Sequence, residues 1–204
     1  MHQVTVLLIA ILAIISVAIA EPLLPDGYYR ICKGKHRLPR TYRYFTAYPN
    51  ANVGSVRLEP RDEAKLQVWR LRNHGKGRVS LEVYDKNADK RKFLSEGRPG
   101  ILPGAHLGVI EKRRKWFFTS VGENIWTRYI LTHPIKYYNQ TLVASEGNSR
   151  DEDINKPNWV TFRGEDQEDY TREWRFLKAV IDDDEDDKHN DDEVDKHNDD
   201  EDDE

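Results

Sequence analysis

Three strand-like segments built on tryptophan recur along the middle of this chain: Val68-Trp69-Arg70-Leu71, Trp116-Phe117-Phe118 and Trp174-Arg175-Phe176. Each closes a stretch with the same internal order. The stretches open on Tyr28-Tyr29-Arg30-Ile31, Arg78-Val79-Ser80-Leu81-Glu82 and Arg128-Tyr129-Ile130-Leu131, whose starts lie 50 residues apart. A second apolar segment follows in each: Phe45-Thr46-Ala47, Phe93-Leu94-Ser95 and Leu142-Val143-Ala144-Ser145. A third comes at Val56-Arg57-Leu58, Leu107-Gly108-Val109 and Trp159-Val160-Thr161-Phe162. A fixed period means a supersecondary unit that cannot bury its apolar face alone, so the copies must share one core. The segments are short, rich in aromatic and β-branched residues, and punctuated by Gly, Pro, Asn and Asp, which reads as β. From Pro22 to Val180 no stretch sustains the i, i+3, i+4, i+7 apolar spacing of a helix. One short helical turn is expected at Pro60–Ala64.

The ends of the chain are of a different kind. Val4 to Ala20 is apolar except for Thr5 and Ser16, and it ends in Ala18-Ile19-Ala20 before Glu21-Pro22. That is the pattern of a signal peptide (1–20), at the short end for a membrane span, so cleavage after Ala20 and secretion are expected. After cleavage no membrane association is expected. Oxidising compartments favour disulfides, yet Cys32 is the single cysteine. Residues 21–180 must therefore form one domain that stands on its hydrophobic core, with Cys32 buried in it and the chain a monomer. Residues 182–204 hold 16 Asp and Glu against 2 Lys, a net of −14, leaving +10 on residues 1–181 (30 basic, 20 acidic). A segment this charged has too little apolar surface to offset the entropy of ordering, so 181–204 reads as an acidic, disordered tail. His189 and His197 sit among its carboxylates, but the tail has no glycine for a calcium-loop turn. No metal site and no cofactor are expected.

Three four-stranded repeats, each ending near a tryptophan, resemble a β-trefoil. The resemblance implies a six-stranded barrel closed at one end by three hairpins, which removes exposed sheet edges. Trp69, Trp116 and Trp174 then fill the axis of the barrel as core residues and are not surface platforms for sugars. Within that fold, Gly27-Tyr28-Tyr29-Arg30-Ile31, Phe45-Thr46-Ala47 and Gln67-Val68-Trp69-Arg70-Leu71 are similar to the small fungal protease inhibitors of the cospin and mycocypin type. The likeness runs from about Gly27 to Leu177; the leader and the acidic tail depart from it. It implies inhibition of an extracellular, serine-type protease through a rigid loop between the second and third strands of the first repeat. Here that loop is Tyr48 to Gly54, with Pro49 stiffening the entry, Asn50, Ala51 and Asn52 at the centre, and Gly54 turning the exit. No Lys or Arg is present for a trypsin-type pocket, and the family accommodates Asn there. Arg98-Pro99, in the equivalent loop of the second repeat, is a poorer candidate.

Catalytic motifs are missing: there is no Gly-x-Ser-x-Gly, no His-Glu-x-x-His and no phosphate loop. Cys32 and His36 are close in sequence, which is not nucleophile–base geometry. The histidines read as surface residues. A non-enzyme is expected, with binding done by loops. The alternative to inhibition is a ricin-B-like carbohydrate-binding module with glycans as partners. Gln67-Val68-Trp69 fits the Gln-x-Trp of such a repeat, whereas Arg114-Lys115-Trp116 and Arg172-Glu173-Trp174 break it. Lys112, Arg113, Arg114 and Lys115 form a candidate basic patch for polyanions, though charged hairpin turns are usually just solvated. Asn139-Gln140-Thr141 is an N-glycosylation sequon between strand candidates.

Overall fold

The structure is a computed structural model and describes residues 24–33, 42–49, 54–97, 100–122, 127–147, 158–167 and 172–181. The apolar leader, the tail beyond Ile181, and Asn50, Ala51 and Asn52 lie outside the described residues. Twelve strands are present in these segments: β1 (Gly27–Lys33), β2 (Arg43–Tyr48), β3 (Ser55–Pro60), β4 (Trp69–Asn73), β5 (Arg78–Val83), β6 (Phe93–Glu96), β7 (Leu107–Ile110), β8 (Trp116–Val121), β9 (Arg128–Thr132), β10 (Leu142–Glu146), β11 (Asn158–Gly164) and β12 (Trp174–Lys178). Every expected strand segment falls in one of them, apart from Val68, which precedes β4.

Along the first and fourth strands of each repeat, side chains point alternately into and out of the barrel, as strand geometry dictates. Their inward residues are Tyr29 and Ile31, Val79 and Leu81, Tyr129 and Leu131 on one side, and Trp69 and Leu71, Trp116 and Phe118, Trp174 and Phe176 on the other. These six strands pair antiparallel in a ring, β1–β4–β5–β8–β9–β12 and back to β1, which leaves no free edge. The middle strands form hairpins β2–β3, β6–β7 and β10–β11. The hairpins hold one another in a triangle that closes one end of the barrel. Gly54 N–H donates to Val109 O (2.9 Å), Phe162 N–H to Ala105 O (2.8 Å), and Trp159 of β11 pairs with Arg57 of β3. The fold is a β-trefoil.

Tryptophan marks the repeat for a physical reason. Trp69, Trp116 and Trp174 are fully buried, and an indole N–H without a partner there costs about 1–3 kcal/mol. Each donates to the carbonyl of its own hairpin: Trp69 to Phe45 O (3.0 Å), Trp116 to Leu94 O (3.0 Å), Trp174 to Ala144 O (2.9 Å). One ring thus ties each barrel strand to its cap. The accepting residues face Leu58, Val109 and Phe162 across the hairpins, so the small Ala144 is offset by the large Phe162.

Two local expectations are corrected. Pro60–Ala64 is not helical. Ala64 N–H donates to Asp62 Oδ1 (3.0 Å) and Lys65 N–H to Asp62 O (3.2 Å), a single turn in which the carboxylate takes a backbone donor that a helix would need. Nor are all histidines on the surface: His133 is 2% exposed, with its ring edge-on to Trp116 and Phe162. Cys32 is fully buried beside Tyr42, Tyr44 and Leu177, and burial pushes its thiol up to about 12, against a smaller pull from Arg175.

Candidate binding surface

The β2–β3 connection, 49–54, springs from a base fixed on both sides. Tyr48 ends β2 facing Ser55, and its hydroxyl donates to Glu59 Oε1. Glu59 in turn takes Lys65 Nζ at 2.7 Å. Burial, helped by that acceptor, raises the Tyr48 phenol above its ordinary value, so it stays a donor. On the exit side, Gly54 crosses to the second repeat through Val109 O. A Cβ on Gly54 would stand 2.5 Å from both Tyr48 O and Val109 Cγ2. Glycine is needed at the exit of the loop for this close approach of chain to chain.

Around this base lies a stack that the repeats gave no hint of. The Arg57 guanidinium sits 4.8 Å over the Tyr48 ring and 4.4 Å over Trp159, and the His106 ring stacks on Trp159 at 4.4 Å. Burial and the Arg57 charge both hold the His106 imidazole below its ordinary pKa. Arg57 and Trp159 occupy the outward phase of β3 and β11, and their strands meet only when the third repeat closes on the first. That outward phase was the only signal in the sequence. Pro49 is exposed and helps line a cleft of about 370 Å³ with Val83, Asp85, Asp89, Lys90 and Glu111.

The basic run in the β7–β8 turn is not presented as one patch. Lys112 is exposed, Lys115 half-buried, and Arg113 lies 5.4 Å over the Phe93 ring. Arg114 forks onto Glu96, with Nε to Oε2 at 3.0 Å and Nη2 to Oε1. Ser95 Oγ donates to the same carboxylate at 2.5 Å, and His133 Nε2 lies 3.6 Å away. Burial alone would raise the Glu96 pKa, yet the nearby His133 ring and the hydrogen bonds from Arg114 and Ser95 hold it well below the usual carboxylate range.

The positions a sugar-binding reading relied on are inside. Gln67 is 1% exposed and donates to Thr46 Oγ1 (2.9 Å) and Pro60 O (2.8 Å). An exposed aromatic, an amide and an acid do gather in the third repeat, at Tyr138, Gln140 and Asp166, where Gln140 Nε2 donates to Asp166 Oδ1 at 3.1 Å. Asn139 is exposed in the same turn. Arg98 and Pro99 lie outside the described residues.

No family model and no curated protein sequence matches this chain. Solved structures do. The ricin B-like lectin of Macrolepiota procera, in complex with lactose, superposes with a TM-score of 0.56 at 16% identity, covering 78% of this chain and 100% of the lectin. The designed threefold-symmetric protein ThreeFoil gives 0.55 at 16% identity, with 76% and 100% covered. At this identity the likeness is one of fold, and it agrees with the ring and the three caps.

Proposed function

We propose that this chain is a secreted binding protein, not an enzyme, that inhibits a serine-type endopeptidase by presenting loop 49–54. The observation that carries this reading is the double anchorage of that loop, through Tyr48–Glu59–Lys65 on one side and Gly54–Val109 on the other. An inhibitory loop must be held in shape before the protease arrives, because ordering it on contact subtracts from affinity. The cleft beside Pro49 adds a second surface for the partner. The test titrates the mature chain, 21–204, against a panel of serine and cysteine endopeptidases. Replacing Asn50, Ala51 and Asn52 together by glycine should weaken inhibition by about 100-fold or more, as for the loss of anchoring residues generally. The melting temperature should stay put, since the base is untouched.

A second reading, glycan binding, rests on the Tyr138–Gln140–Asp166 cluster and on the lactose-bound lectin of the same fold. A glycan array read in parallel separates the two. Binding that is lost in Asp166→Ala, with no protease inhibited, would replace the inhibitor reading.

A further inference from the structure

The β9–β10 connection makes a two-residue reversal with an unusual occupant. Tyr137 N–H donates to Gln140 O (3.0 Å) and Gln140 N–H to Tyr137 O (2.8 Å), so Tyr138 and Asn139 form the tip. Both are left-handed, at φ 45° and 65°. Asn tolerates that conformation, whereas a bulky aromatic there is strained and calls for a reason. Packing is not the reason. Tyr138 is 88% exposed and touches the edge of the Tyr137 ring (4.6 Å, 85°), and Ile135 nearby is 47% exposed. The turn therefore shows an apolar surface that the fold itself leaves uncovered. At its centre stands Asn139-Gln140-Thr141, the acceptor sequence for N-linked glycans.

We propose that Asn139 is glycosylated and that the first sugar of its glycan lies against Tyr138, covering the surface formed with Ile135 and Tyr137. The donor is a lipid-diphosphate-linked oligosaccharide, which meets the chain as it enters the secretory pathway. Asn139 Nδ2 attacks the anomeric carbon, an N–C bond forms as the bond to the diphosphate oxygen breaks, the lipid diphosphate leaves, and one amide proton goes to the transferase. Folding then sets Asn139 at a turn tip, where the glycan meets no neighbouring strand. Tyr138 brings a flat apolar face to the adjacent residue, as aromatic platforms for sugars do. The proposal stands apart from the inhibitor reading and excludes the glycan-binding one at this turn, since one aromatic face cannot hold both sugars.

The experiment expresses the full chain in a eukaryotic secretory host. Amino-terminal sequence beginning at Glu21 first establishes passage through the pathway. Intact mass should then exceed the peptide mass by a glycan that peptide N-glycosidase releases, and that Asn139→Gln and Thr141→Ala each abolish. A correctly processed chain with bare Asn139 overturns the proposal. The contact is read by trimming the glycan to its first sugar and comparing melting temperatures in a cycle. Protein bearing that sugar should melt about 2 °C or more above the same sequence made bare in a host without the transferase, the scale of a fraction of a kcal/mol in a domain of this size. In the Tyr138→Thr background the difference should vanish. Equal shifts with and without Tyr138 overturn the covering role.

Discussion

At Glu96 burial and charge are directly opposed. It ends β6 at the hairpin-bearing end of the barrel, and a carboxylate there is tolerable only because Arg114, Ser95 and His133 converge on it. Its folded-state pKa lies below the unfolded value of about 4.3, so the ionised form is the one folding favours. The sign follows: this contribution is fully present above about pH 4.3–5 and is lost as pH falls toward the folded value. Glu96→Gln keeps the shape and removes the charge. The variant should melt below wild type at pH 7, and the gap should narrow as pH drops from 5 to about 3. Melting curves at stepped pH check this, and two parallel curves would refute it. The cost at pH 7 should reach a few kcal/mol, because Arg114 would keep its charge in a half-buried site without a counterion.

At the scale of the element, the repeat is a barrel strand stapled to its own hairpin by one indole. Because that staple is both packing and hydrogen bond, Trp69→Ala, Trp116→Ala and Trp174→Ala should each lower stability by about 3–5 kcal/mol. Trp159→Ala, on the outer face of β11, should cost clearly less. Denaturant titration ranks the four, and a Trp159 effect as large as the others would remove the distinction between staple and surface ring. The same elements explain what could be read from the chain. Period-2 alternation such as Trp116-Phe117-Phe118, with Phe117 out and its neighbours in, survives in one dimension, so the strands and the fold class were legible. Glu96, Arg114 and His133 come from β6, the β7–β8 turn and the segment after β9, and no spacing links them. Arg57 and Trp159 meet only through the closure of repeat three on repeat one. The basic run Lys112 to Lys115 read as four equal cations, but local charge cannot tell that Arg114 turns inward to a carboxylate 18 residues away.

For the molecule as a whole the governing fact is the split of charge, +10 on residues 1–181 and −14 on residues 182–204. β12 runs from Trp174, beside Lys33, to Lys178, beside Tyr29, and Ala179 N–H bonds Tyr28 O at 2.8 Å. The tail therefore starts at the end of the barrel opposite the hairpin caps. Twenty-three residues span at most about 80 Å when extended, so cations at either end are within reach. Tethering keeps the two charges at an effective concentration near the millimolar range, enough for weak exposed pairs to form intramolecularly. Such pairing is screened as the Debye length shortens from about 10 Å at 0.1 M salt to about 3 Å at 1 M. Deleting 182–204 should thus strengthen retention on heparin by more than the change in net charge brings. The control is the same tail fused to a neutral domain. Small-angle scattering should show the intact chain expanding between 0.1 and 1 M salt while the truncated chain keeps its radius. An intact chain equally extended at both salts would mean that the tail acts independently of the trefoil.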